Sequence, residues 1–177
     1  MHESPTGDDK AQQITGICDR SGAFGISITD PSSTGRWNIS LMFTVVVPIA
    51  HRSVVDNLVI FFGVGSVYLQ NDNAIYRVSS VKDLVVIISH FTSFPLVSPK
   101  VLVYNLWAEA VNIVANKLHV KTEYMYRLIA ISASTGRGPS KSLAAAYPNL
   151  VPAATFTYVA PSSLNPWWIS GYLTVFG

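Results

Sequence analysis

Apolar and polar residues alternate along two well-separated stretches of the chain and recur at helical spacing along several others. Phe24, Ile26 and Ile28 alternate with Gly25, Ser27 and Thr29, the period-two pattern of a strand. In a longer alternation, Trp37, Ile39, Leu41, Phe43 and Val45 face one way and Asn38, Ser40, Met42 and Thr44 the other, until Pro48 ends it. Two short strands follow at 64–69 and 74–79, joined by a hairpin signal in Gln70-Asn71-Asp72-Asn73. Helical spacing predicts a helix over 11–20 that stops at Ser21-Gly22, and another over 51–62 with Val54, Val55, Leu58, Val59 and Phe62 on one face. Ser80 reads as an N-cap with Asp83 in the capping-box position, opening a helix to about Phe91. Further helices are expected over 102–118, 123–132 and 139–147. Asn165 as N-cap and Pro166 at the first helical position open a last one. Antiparallel hairpins with helices gathered on one face make an α+β domain. The expected division is a disordered tail over 1–10, a domain over 11–147, an extended Pro/Ala/Ser/Thr-rich linker over 148–164 and a terminal helix over 165–177.

Composition narrows what such a domain can do. The chain has 177 residues, and charged residues are only 12% of it, with 12 Lys and Arg against 10 Asp and Glu. A net charge of +2 does not mark a strongly basic nucleic-acid binder. So few charges leave a monomer poorly protected against association, which points to a surface covered by a partner. Cys18 is the single cysteine, excluding an internal disulfide and a multi-cysteine metal site. The apolar runs at 41–50 and 54–65 are too short and interrupted for a membrane span, and the acidic start lacks the apolar region of a secretory signal.

The stretch Ile14-Thr15-Gly16-Ile17-Cys18-Asp19-Arg20-Ser21-Gly22 resembles the signature of LAGLIDADG homing endonucleases and intron maturases. Trp168-Ile169-Ser170-Gly171-Tyr172-Leu173-Thr174-Val175-Phe176-Gly177 resembles its second copy, with the family's Leu164-Asn165-Pro166 lead-in. Between them, Ser79 to Leu84, His90-Phe91, Phe94-Pro95-Leu96 and Lys100 follow the family's third-helix region in order and spacing. Asn116 to His119 and Tyr147-Pro148 match what comes next, so the resemblance covers nearly the whole chain. It implies two signature helices packed along a pseudo-two-fold axis, with Gly16 and Gly171 at the close approach. It also implies an acid at the eighth signature position that holds a divalent ion, usually Mg²⁺, and a sheet that forms half of a saddle over DNA.

Several positions depart from that pattern. The metal-binding acid falls on Ser21 in the first copy and on Phe176 in the second. A hydroxyl is a poor substitute for a carboxylate toward Mg²⁺, and a phenyl ring offers no ligand. Two-metal cleavage needs those ions, so neither a catalytic residue nor a cofactor is expected, Mg²⁺ entering only if the chain is an endonuclease. Asp19 is expected to make a local contact at a helix end rather than to hold metal. Only Arg36 and Arg77 fall in or beside the strands, with Arg20 and Arg52 in nearby loops, and these four are the candidate nucleic-acid contacts. A terminal helix packed on the first one disfavours a symmetric homodimer.

The remaining features have plainer readings. His51, His90 and His119 are expected to pack or cap, Cys18 to be a structural thiol, and Gly136-Arg137-Gly138 to be a helix–helix turn. Gly63-Val64-Gly65 lacks the ending of a phosphate loop. Trp37 reads as core, and Trp107 and Trp167 as partner-surface aromatics.

The leading expectation is therefore an inactive LAGLIDADG-like protein retained as a nucleic-acid-binding or structural component of a mitochondrial assembly such as the ribosome. The alternatives are a fragment of an intron-encoded DNA endonuclease or RNA maturase, and a protein-only scaffold subunit.

Overall fold

In the computed structural model, which describes residues 4–31, 35–135 and 138–176, the first helix starts earlier than its apolar face suggests. Helix α1 spans Gly7–Ser21. The Thr6 hydroxyl accepts from the Asp9 N–H, and the Asp9 carboxylate accepts from the Thr6 N–H. This capping box satisfies two otherwise unpaired donors, and it extends helix into residues 7–10, which had been expected as disordered tail. The signal Thr6-x-x-Asp9 was present in the sequence but precedes the apolar periodicity.

The chain then builds one sheet. Strands β1 (Gly22–Thr29) and β2 (Asn38–Pro48) pair antiparallel, and after helix α2 (Arg52–Phe62) strands β3 (Ser66–Gln70) and β4 (Asn73–Val78) form a hairpin. The order across the sheet is β1-β2-β4-β3. Asn71 and Asp72, both at positive φ, make the two-residue turn of the β3–β4 hairpin, the geometry that matches the twist of paired strands. Gly63 ends α2 in the left-handed conformation, its N–H bonded to the Val59 carbonyl.

Four helices follow before the linker: α3 (Val81–Ser93), α4 (Lys100–Ala115), α5 (Thr122–Ser134) and α6 (Lys141–Ala146). Ser80 occupies the N-cap of α3, but its side chain makes no capping bond. The Asp83 and Leu84 N–H groups reach the Ser80 carbonyl instead, so the expected capping box is not formed. Phe24, Leu41, Phe43, Val45, Val47, Tyr76 and Val78 point from one sheet face into the helices and are buried.

Trp107 corrects an expectation. It is fully buried rather than a surface aromatic. Its helix α4 lies under β1, the indole N–H donates to the Gly25 carbonyl at 3.1 Å, and the ring packs against Phe24 with centroids 5.0 Å apart. Trp37 is half-buried at the edge of the core, and Trp167 is half-buried on the terminal helix. The bidentate Arg127–Glu109 pair, at 2.7 and 2.9 Å, ties α5 to α4.

The segment expected as a linker is extended but pinned. The Ala153 N–H donates to the Ala130 carbonyl, and the Tyr158 hydroxyl donates to the Val97 carbonyl. It leads to α7 (Pro166–Leu173), where the Asn165 side chain accepts from the Trp167 and Trp168 N–H groups. Helix α7 crosses α1 in close contact. A Cβ on Gly16 would collide with the Trp168 carbonyl oxygen, and one on Gly171 with the Gln13 carbonyl oxygen. Backbones this close leave room for hydrogen alone. Ser32 to Thr34, the Gly136-Arg137 pair, the Phe176 side chain and Gly177 lie outside the described residues.

Replacing Gly171 by Ala is expected to lower stability by about 3 kcal/mol, because helix backbone rather than a flexible side chain must move. Urea denaturation would measure the loss. Limited proteolysis would show faster cutting in 148–165 as α7 lets go; wild-type resistance in that segment would contradict the crossing.

Candidate nucleic-acid interface

The sheet face turned away from the helices is polar but nearly uncharged. Cross-strand partners place Ala23, Thr44, Arg77 and Ser66 in one row, with Ser27 beside Ser40 and Thr29 beside Asn38 in rows nearer the β1–β2 turn. Toward the other end, Val46, Ile75 and Tyr68 form a row, then Pro48, Asn73 and Gln70. Most of these residues are exposed. Hydroxyl and amide groups on such a face can donate to and accept from base edges, while Arg77 supplies positive charge near the middle. The Arg77 guanidinium sits 5.1 Å from the Tyr68 ring centroid, which holds the cation on this surface.

The four candidate arginines do not form one patch. Arg77 is the one among them on the open face. Arg36 precedes β2 and lines a cavity with residues of α5, on the helix side. Arg52 pairs with Asp56 one turn along α2, at 3.3 Å. Arg20, at the end of α1, stacks over Tyr172 with its guanidinium carbon 5.9 Å from the ring centroid. The sequence places these residues near strands, but only register decides which face each one meets.

The end of α1 shows what the remaining signature acid does here. Asp19 is buried, and both its oxygens are engaged. Oδ2 accepts from the Val97 N–H at 2.9 Å and from the Trp168 indole N–H at 2.8 Å. Oδ1 accepts from the Ser98 hydroxyl at 2.6 Å and from the Ser98 N–H at 3.3 Å. The carboxylate thus joins α1, the segment before α4, and α7. The expected local contact is a three-way junction, and its partner Trp168 was not singled out beforehand, although a tryptophan opens the second signature.

Lys100 is a second residue given no site role in advance. Its ammonium donates to the Cys18 carbonyl at 3.3 Å and the Gly22 carbonyl at 2.5 Å, where α1 passes into β1, adding a cation at the helix C-terminus. Burial pulls its pKa below the usual lysine value, opposed by the charge of Asp19. Cys18 is fully buried, and burial pushes its thiol pKa up, as suits a packed rather than a reactive group.

A divalent ion would meet few anionic oxygens at this end of α1. Ser21 offers a hydroxyl, Asp19 already accepts four hydrogen bonds, and Lys100 brings positive charge to the same end of the helix. Among the described residues, no three His, Cys, Asp or Glu side chains converge. This donor set does not fit an ion that demands anionic oxygens.

His90 packs as expected, with further detail. Its ring lies among Phe61, Phe62, Phe91 and Phe94. Nε2 is 2.9 Å from the Thr15 hydroxyl, and that hydroxyl donates to the Phe94 carbonyl. The hydroxyl proton being used there, Nε2 carries the proton and donates to Thr15. Burial lowers the His90 pKa to about 4.

Comparison with known proteins agrees with this architecture. Residues 14–111 match the family model described as LAGLIDADG endonuclease. The chain is 28% identical over 169 residues to probable intron-encoded endonuclease 3 of Neurospora crassa, covering 92% of this chain and 32% of that protein. It is 31% identical over 114 residues to an uncharacterized 50.9 kDa protein in ND4 intron 1 of Podospora anserina, covering 60% of this chain and 25% of that one. Among solved structures, the LAGLIDADG meganuclease I-CpaMI bound to uncleaved DNA matches with a TM-score of 0.85 at 31% identity, over 93% of this chain and 60% of that chain. The LAGLIDADG homing endonuclease I-GzeII in complex with its DNA target matches at a TM-score of 0.86 and 25% identity, over 93% and 58%. The chain therefore spans a third or less of these curated relatives and under two thirds of these solved ones.

Two outcomes follow from the α1 junction. Asp19→Asn is expected to cost about 2–4 kcal/mol, since an amide cannot accept all four donors, whereas Ser21→Ala should stay within about 0.5 kcal/mol; urea midpoints would compare them. The unfolded chain protonates His90 near pH 6.5 and the folded chain only near 4. Its contribution, about 2–3 kcal/mol, is present above pH 6.5 and lost as pH falls toward 4. Stability measured against pH should lose that part of its slope in His90→Gln.

Proposed function

The chain belongs to the LAGLIDADG endonuclease family, and from that premise we propose that it is a DNA-docking portion of an intron-encoded homing endonuclease. In this reading the polar open face of the sheet is laid in the major groove. The observation that carries it is the row Ala23–Thr44–Arg77–Ser66, which puts a held cation among hydroxyls on a face no helix covers. Intron-encoded endonucleases among the relatives support this over the mitochondrial assembly component favoured from sequence alone. The relative within ND4 intron 1 supports an organellar origin for this chain.

Cleavage by the family's metal mechanism is not part of the proposal. Ser21 replaces the acid of the first signature and Phe176 that of the second, and Asp19 is committed to the junction. What Asp19 does is hold α1, α7 and the start of α4 together. A symmetric pairing of two α1 helices would have to displace α7. Among the described residues, no helix is long and apolar enough to cross a membrane.

The test is salt-dependent binding of the purified chain to duplexes carrying an intron-insertion junction, with unrelated duplex as competitor. Arg77→Ala is expected to weaken duplex binding about five- to tenfold and to lower the salt slope by about 1, the signature of one lost cation. Incubation with Mg²⁺ should leave the duplex intact. Duplex affinity that is indifferent to both salt and Arg77 would refute docking through this face, and site-defined cutting would refute the loss of cleavage.

A further inference from the structure

We propose that a cavity on the helix side of the sheet binds an unpaired nucleotide, base and phosphate together, of a single-stranded nucleic acid. The cavity has a volume of about 400 Å³ and lies between the residues entering β2 and the start of α5. Its walls include Arg36, Trp37, His119, Lys121, Tyr126 and Tyr147, and among the described residues no carboxylate lines it. Two other cavities, of about 740 and 340 Å³, are lined by both Glu109 and Arg127. There the cation is already neutralised by a bidentate carboxylate, so neither favours an anion.

Three features fit the ligand class. The size is that of a small-molecule site, roughly 300–1,000 Å³. Exposed Arg36 and Lys121 at its mouth would meet phosphate oxygens. The aromatic lining offers ring surface to a base: Tyr126 and Tyr147 meet edge to face with centroids 6.5 Å apart, and Tyr126 is 42% exposed. Cationic and aromatic groups around one concavity are the physical recipe for sequence-tolerant binding of unpaired bases. His119 adds the one buried side-chain polar atom, Nδ1, that has no hydrogen-bond partner among the described residues, an unused bonding capacity in this wall.

The cavity is separate from the duplex-docking face. Trp37 and Ile39 turn toward it, whereas Asn38 and Ser40, one residue along, belong to the open face. A single strand here would not displace a duplex there.

Fluorescence anisotropy with a short labelled oligouridylate tests the site, with oligothymidylate and free UMP in parallel. Lys121→Ala combined with Tyr126→Leu is expected to raise Kd about tenfold while duplex affinity is unchanged. Lys121→Glu alone, at an exposed position, should raise it about fivefold and flatten its salt dependence. Preference for oligouridylate would assign RNA, equal binding would assign single strands of either sugar, and displacement by UMP would assign the isolated nucleotide; each supports the site. Unchanged affinity in both variants, or no binding of any probe by the wild-type chain, overturns it. Loss of duplex binding alone would speak only against the docking reading.

Discussion

Helices α1 and α7 touch backbone to backbone at Gly16 and Gly171, and that contact constrains everything at the end of the first helix. With no side chain between them, the helices approach closely enough for the Trp168 indole to reach Asp19. Asp19 then takes the Val97 and Ser98 N–H groups and fixes where α4 begins. Lys100, two residues further, is thereby set against the Cys18 and Gly22 carbonyls where α1 passes into β1. Loosening the glycine contact would undo these bonds together, since a buried carboxylate stripped of its donors is strongly disfavoured.

This junction also explains how a member of an endonuclease family can keep its architecture after losing signature acids. The acid at position 19 carries structure, and the residue at position 21 carries none of the same bonds. The fold therefore depends on Asp19, Gly16 and Gly171, while Ser21 makes none of these contacts. The sheet face follows the same logic. Its hydroxyls and amides offer hydrogen-bonding capacity, with Arg77 supplying charge at one held position.

Much of the fold was legible because alternation and helical spacing are local signals. The strand alternation at 37–45, the Asn71-Asp72 hairpin and the Asn165-Pro166 helix start need only neighbouring residues, and all three are formed. The misreadings have nonlocal causes. Trp107 is as amphipathic as a surface aromatic until α4 is laid beneath β1 and its indole finds the Gly25 carbonyl. Ser80 has the type and place of a capping residue but gives its carbonyl rather than its hydroxyl. Asp9 was overlooked because a cap precedes the periodicity it serves.

By itself the sequence determined the order of elements and the inward face of the first two strands, since periodicity is written residue by residue, while Gly16 and Gly171 as the meeting point of two helices came from the resemblance to the family's signature. Only the tertiary structure decided that Arg77 alone among the candidate arginines reaches the open face, and that Arg36 joins Lys121 and two tyrosines around a cavity. It also decided that the Asp19 carboxylate accepts from Val97, Ser98 and Trp168. Those outcomes depend on strand register and on groups 78 to 149 positions apart in the chain, distances over which no local pattern carries information.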